Sequence, residues 1–237
     1  ETDYEEDKEN LLDFYNSQGY RNAVIVRDSM YVINDKRIGI DIQIEEGDKF
    51  YIRNVSWEGN SQYSTELLQA MLGIEKGDTY DKKTLHKRLG IGRETDIEDM
   101  SQISSLYQNN GYLMSVIEPS EIVVGKDSID LEIKVFEGRP FTINNVEISG
   151  NQRVDDEVIR REIYTRPGEL YNRALLMQTL RQLSQMQHFD PASIMPQIQP
   201  VSNDLVDIGW PLVESASDKF EISGGWGAGM FVGSVGV

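Results

Sequence analysis

The chain has 237 residues, a net charge of −17, 39 % apolar residues, two histidines and no cysteine. A surface this acidic repels phosphate backbones and excludes nucleic acid as a partner. The lack of cysteine excludes disulfides, and no apolar run approaches the roughly 18–20 residues that a membrane-spanning helix requires.

Residues 1–47 read as a helix followed by two strands. The first ten positions carry six carboxylates against one lysine. A strand is expected over Arg21–Val32, after the corner Gly19-Tyr20. The next shows period-two alternation through Ile38, Ile40, Ile42 and Ile44, which puts one face on a helix layer and one in water.

From Phe50 the pattern restarts and then repeats. Displaced by 91 positions, 15 of the 52 residues from Ile38 to Leu89 meet an identical residue, against about three expected at average residue usage. Glu46-Gly47 meets Glu137-Gly138, Gly59-Asn60 meets Gly150-Asn151, and Phe50, Ile52, Gly77 and Tyr80 meet Phe141, Ile143, Gly168 and Tyr171. At an offset of 92, Gly19-Tyr20 meets Gly111-Tyr112. Residues 1–47 are therefore the back half of a module, 48–138 a complete one and 139–216 the last. The chain is expected to be part of something longer, so the lack of a signal segment carries no information on location.

The middle copy is about 14 residues longer than the last between Leu89 and Leu106. Gly90–Glu94 should break the helix there. Thr95-Asp96-Ile97-Glu98 then reads as a capping box that opens a new helix with the stripe Ile97, Met100, Ile103 and Tyr107. After Leu113–Val124, a strand alternates cleanly through Ile129, Leu131, Ile133 and Val135.

The last copy opens with a strand through Ile143, Val146 and Ile148 that stops at Gly150-Asn151. A helix capped by Asp155 and Asp156 runs to about Tyr164, and Pro167-Gly168 separates it from a second over Asn172 to about Gln187. Strands over Ser193–Gln199 and Val206–Leu212 complete the order strand, helix, helix, strand, strand. From Ser217 the composition changes: six of the 20 glycines lie between Gly224 and Gly236. The interleaved glycines and aromatics of Phe220–Phe231 fit the first strand of a membrane β-barrel.

Residues that could carry chemistry are sparse. His86 and His188 lie in different modules, and neither has a second histidine or a cysteine at metal-ligand spacing. His188 stands where the middle copy has the glycine of a Gly-Tyr corner. Gly90-Ile91-Gly92 lacks the preceding strand and the Lys-Ser/Thr pair of a phosphate loop. The residues shared between copies are glycines, aromatics and aliphatics, which specify turns and packing. No catalytic, cofactor-binding or metal-binding residue is assigned, and the chain is not expected to be an enzyme.

Function then rests on surfaces. Each small sheet should leave an edge open, and an open edge templates an added strand. The strand after each Gly-Tyr corner is the expected edge. Pro119 and Pro196 fall at matching places in two of these, and proline is confined to edges and bulges. The partner-binding candidates on these strands are Ala23, Ile25, Arg27, Ser115, Ile117, Ile194 and Gln197.

The strand–helix–helix–strand–strand order, the bounding Glu-Gly, the Gly-Asn turn and the Gly-Tyr corner resemble POTRA domains. A run of them leading into a glycine-rich strand resembles the arm of BamA-type outer-membrane assembly factors, copies three to five, with the third incomplete. The resemblance implies an α+β fold of tandem modules, each a three-stranded mixed sheet packed against two helices, followed by the start of a β-barrel in 217–237. It also implies a periplasmic location at the outer membrane, where the full-length protein would be an integral membrane protein. The implied partners are unfolded outer-membrane protein precursors, accessory assembly lipoproteins and the chain's own barrel, with no cofactor. The run Arg160-Arg161-Glu162 resembles the helix of the module adjoining the barrel and joins the partner-binding candidates. A related translocation or secretion barrel is the alternative.

Overall fold

A computed structural model describes residues 2–34, 36–92, 99–215, 221–227 and 230–236. The chain forms two compact units, residues 1–139 and 140–237.

In the first unit, helix α1 (Thr2–Ser17) precedes an antiparallel pair, β1 (Val24–Asn34) and β2 (Arg37–Glu45). A second sheet follows, built from β3 (Tyr51–Glu58), β4 (Val116–Val124) and β5 (Ser128–Phe136), with α2 (Thr65–Leu72), α3 (Lys82–Leu89) and α4 (Ile103–Gln108) between β3 and β4. Its strand order is β3-β5-β4, with β3 parallel and β4 antiparallel to the central β5. The second unit repeats this plan. Its strands are β6 (Thr142–Ser149), β7 (Gln197–Pro200) and β8 (Leu205–Pro211), its helices α5 (Asp156–Glu162) and α6 (Arg173–Gln185), and its strand order β6-β8-β7. The α+β repeat with three-stranded mixed sheets is thus present in both complete copies.

The central strands follow the alternation in the sequence. Ile129, Leu131 and Ile133 are fully buried under the helices, as are Val206, Ile208 and Trp210 in the second unit. Burial of each such side chain stabilises the fold by about 1.5–3 kcal/mol. In the first sheet the pattern holds but the burial does not. Ile38 is 57 % and Ile40 44 % exposed, whereas their counterparts Ile129 and Leu131 are 0 % exposed; α1 reaches this pair of strands through the polar bonds of Tyr4 and Lys8 to Asp28.

The repeated residues form one recurring device. Gly77 N–H donates to the Ile52 carbonyl and Tyr80 N–H to that of Phe50, at 2.7 and 3.0 Å. Gly168 and Tyr171 do the same to Ile143 and Phe141, at 2.7 and 2.8 Å. The loop between the two helices is thereby stitched along the start of the first strand. At the strand's far end, Asn60 and Asn151 side chains donate to the carbonyls of Tyr63 and Val154. Gly59 and Gly150 have φ of +86° and +87°, and a Cβ there would collide with the backbone carbonyl of Val135 or Leu212. Only glycine satisfies both constraints.

Three expectations need correction. The capping box at Thr95–Glu98 and the residue Ile97 lie outside the described residues, but the helix that follows starts at Ile103, and Met100 sits in a turn before it. Asp99 takes the Ser101 N–H and hydroxyl, at 2.9 and 2.6 Å, and such local bonds compete with helix formation. Asp155 occupies the N-cap position of α5 without a side-chain hydrogen bond, and the helix ends at Glu162 because Ile163 is extended. The glycine-rich tail is not one strand but two, β9 (Glu221–Gly227) and β10 (Met230–Gly236), paired antiparallel with Gly227 opposite Met230. Folding back gives each strand a hydrogen-bonding neighbour that one extended segment would lack. Phe220, Ala228 and Gly229 lie outside the described residues.

Candidate partner-binding edges

The strand after each Gly-Tyr corner, and after His188-Phe189 in the last copy, is an edge strand of its module's sheet: β1 beside β2, β4 beside β5, and β7 beside β8. Pro119 lies within β4, opposite Ile133. Proline has no N–H, so its nitrogen must face away from the neighbouring strand. By the two-residue period, Ile117, Glu121 and Val123 also direct their backbone groups to the free edge. Pro196 lies one residue before β7, and Pro200 ends that strand.

The candidate residues divide by burial. Arg27 and Gln197 are exposed on β1 and β7, and Ile25 and Ser115 are half-buried. Ala23, Ile117 and Ile194 are 7 %, 6 % and 3 % exposed, so their side chains belong to the cores. At these three positions a partner could use only the backbone. Arg160 and Arg161 are exposed on α5, with Glu162 half-buried, and Arg160 Nε bonds Asp156 at 2.6 Å. The solvent side of the middle sheet adds apolar surface beside the β4 edge: Val116 and its cross-strand partner Phe136 are 48 % and 54 % exposed, and Met114 52 %.

The sequence reading missed a polar node on the same strand. Glu121 of β4 accepts a hydrogen bond from the Tyr80 hydroxyl at 2.5 Å and another from Arg21 Nε at 2.8 Å. Burial, and then the adjoining carboxylate, push the Tyr80 phenol far above its ordinary pKa, so it stays a donor at any physiological pH. The hydrogen bond to Glu121 likewise raises Arg21. Tyr80 was visible as a repeated residue. Arg21 and Glu121 lie 100 positions apart and have no repeated partner to mark them.

A second set of carboxylates explains the Glu of the Glu-Gly boundary. Glu137 accepts from Ser61 Oγ at 2.5 Å, Gln62 N–H at 2.9 Å and Tyr107 OH at 3.1 Å. Glu214 accepts from the N–H groups of Gln152, Arg153 and Val154 at 2.8, 2.6 and 3.1 Å. Each glutamate, standing just past the central strand, holds the turn that follows the first strand. These bonds, that of Arg153 foremost, hold the Glu214 carboxyl below its usual pKa.

His86 lies in the last turn of α3, and the His188 carbonyl accepts Ser215 N–H in the turn after α6. Among the described residues, no three His, Cys, Asp or Glu side chains group to hold a metal, and no helix is long and apolar enough to cross a membrane.

Comparison with known proteins agrees with this architecture. The chain is 24 % identical over 229 residues to the outer membrane protein assembly factor BamA of Neisseria meningitidis, covering 95 % of this chain and 27 % of that protein. It is 25 % identical over 213 residues to a putative outer membrane protein assembly factor of Treponema pallidum, covering 86 % and 24 %. It thus spans about a quarter of the length of these curated relatives. The crystal structure of Haemophilus influenzae BamA POTRA3-5 shares the fold at a TM-score of 0.68 and 22 % identity, over 89 % of this chain and 80 % of that one. BamA from Haemophilus ducreyi lacking POTRA domains 1-3 aligns at a TM-score of 0.56 and 18 % identity, over 73 % and 30 %. The model of the POTRA family, the surface antigen variable number repeat, matches residues 50–138 and 141–208. With both complete modules matched, the chain belongs to the POTRA family.

Proposed function

We propose that this chain is the periplasmic arm of a BamA-type outer-membrane protein assembly factor, acting as a non-enzymatic binding scaffold. It receives unfolded outer-membrane protein precursors as added strands at its module edges and passes them to a membrane-embedded barrel. The observation that carries this reading is the edge strand left open in each of three sheets. Backbone pairing at such an edge accepts many sequences, as a scaffold for diverse clients requires. Precursor folding drives the transfer, because a spanning strand must close all its hydrogen bonds in lipid. The likeness to BamA of N. meningitidis over 95 % of the chain supports the assignment. Accessory lipoproteins are proposed to dock on the exposed arginines of α5, and the segment 217–237 to lead towards the barrel.

The test is site-specific photo-crosslinking to an unfolded outer-membrane protein. A photoreactive residue at Arg27, Glu118 or Gln197, on β1, β4 and β7, should capture the client several-fold more strongly than one at Lys76 or Glu169, which are exposed but lie off the edges. Equal yields at all five positions would refute strand addition.

A further inference from the structure

We propose that the rotation of the first half-module, residues 1–47, on the middle module is set by an ionic clasp in which Glu9 and Asp13 of α1 face Lys82 and Lys83 of α3. The clasp fixes how two neighbouring edges, β1 and β4, lie relative to each other. Its consequence for clients rests on the strand-addition reading, but its geometry does not.

The two bodies share no apolar core. The buried cluster of the middle module draws on residues from Phe50 to Val135, and among the described residues none of 1–47 joins it. Of the described apolar residues in 1–47, only Ala23 is buried. What joins the bodies is polar. Phe50 N–H donates to the Gly19 carbonyl at 2.9 Å, and Arg21 Nε donates to Glu121 at 2.8 Å. Such bonds make a pivot without fixing the rotation about it, and bodies of one chain move against each other unless their interface is large and apolar.

Charge then decides the rotation. Residues 1–47 hold 12 acidic and five basic side chains, and residues 48–138 hold 16 and ten, so both bodies are net negative and repel. The cleft between α1 and α3, about 720 Å³ in volume, is the exception. Its charged lining is balanced, with Glu9, Asp13 and Glu121 against Arg21, Lys82 and Lys83. The signs are also sorted by element. Glu9 and Asp13 stand four residues apart, on one face of α1, and Lys82 and Lys83 open α3. The two helices approach each other, so charges facing across the cleft lie within a Debye length of about 10 Å at 0.1 M salt. The net charges are spread over whole modules, and most of their repulsion is screened at that range. Attraction across the cleft outweighs it and holds the bodies in one rotation.

A charge swap on the 237-residue chain tests the clasp. The chain has no cysteine, so one spin label can be placed on each body through Q43C on β2 and N54C on β3, both exposed positions. Pulsed electron resonance should give a single narrow distance distribution for the native charge pattern. K82E/K83E should broaden it or shift its mean by several ångströms, and E9K/D13K should do the same. All four side chains are exposed, so the core is untouched. The four substitutions together face opposite signs again and should bring the native distribution back. If neither pair changes the distribution, or if the four together leave it as open as either pair alone, the clasp is refuted. At 1 M salt, where the Debye length falls to about 3 Å, the difference between the native pattern and K82E/K83E should shrink. An undiminished difference would mean a cause other than charge and would also overturn the clasp. No client takes part, so a negative result here leaves strand addition standing, and failure of the crosslinking test leaves the clasp in place.

Discussion

A carboxylate that gathers three backbone donors from one turn makes that turn sensitive to acid. Glu214 does this for Gln152, Arg153 and Val154, and its folded pKa is depressed below the ordinary value of 4.5. A group depressed on folding contributes stability that is fully present above its unfolded pKa and is lost as pH falls through the folded value. The second unit should therefore lose stability as pH falls below about 4.5. In E214Q that component of the pH dependence should vanish, because an amide does not titrate and its oxygen is a weaker acceptor. Thermal unfolding of the two forms between pH 6 and pH 3, followed through the tryptophans of the second unit, checks this. Parallel pH profiles would show that the turn does not depend on the charge. Glu137 serves the equivalent turn through different donors, a serine hydroxyl, one amide and a tyrosine. The repeated glutamate thus preserves a role while its partners vary.

At the scale of elements, the inserted segment of the middle module is held by its far end. Ile103 and Tyr107 of α4 are fully buried. The Tyr107 ring stands edge-on to Tyr63 and Tyr112, with centroids 4.9 and 6.1 Å away. Tyr107→Phe keeps this packing but deprives Glu137 of a donor, and should cost about 1–2 kcal/mol. Tyr107→Ala also empties the pocket and should cost about 3–5 kcal/mol. Urea unfolding followed by Trp57 fluorescence would resolve the two; equal losses would mean that the ring contributes nothing beyond its hydroxyl. The same element marks how far the sequence could be read. Its stripe of Ile103 and Tyr107 was legible, because burial imposes helical spacing. Its start was not, because Asp99 bonds the turn locally in a way that the capping-box pattern upstream did not reveal. The central strands were legible through alternation and β4 through Pro119, but side-chain direction along β1 was not. A register shift between Ile25 and Arg27 breaks the period there, so counting by twos does not carry across it. The Arg21–Glu121 contact left no trace in the sequence, since it joins positions that pattern and repeat treat separately.

For the molecule as a whole, the repeat supplies equivalent elements in unequal surroundings, and this should set an order of opening. β5 and β8 lie between two strands and beneath helices, with Ile129, Leu131, Ile133, Val206 and Ile208 fully buried. β2 is the counterpart of β5, but among the described residues it has one neighbouring strand, and its Ile38 and Ile40 are 57 % and 44 % exposed, as is Met30 of β1 at 51 %. Local stability follows buried apolar contact and ladder neighbours. Amides in the β1–β2 ladder should therefore exchange orders of magnitude faster than those of β5 and β8. The Gly150 turn gives an independent perturbation. Gly150→Ala forces a Cβ against the Leu212 carbonyl at positive φ and should cost about 1–3 kcal/mol. That loss should speed exchange in β6 and β8 while β3 and β5 keep their rates, because each unit has its own core and folds around it. If β5 accelerated together with β8, the two units would unfold as one cooperative body and the repeat would be a single folding domain. If β1–β2 proved as slow as β5, the half-module would draw stability from contacts other than apolar burial, and the polar junction at Arg21 and Glu121 would be the place to seek them.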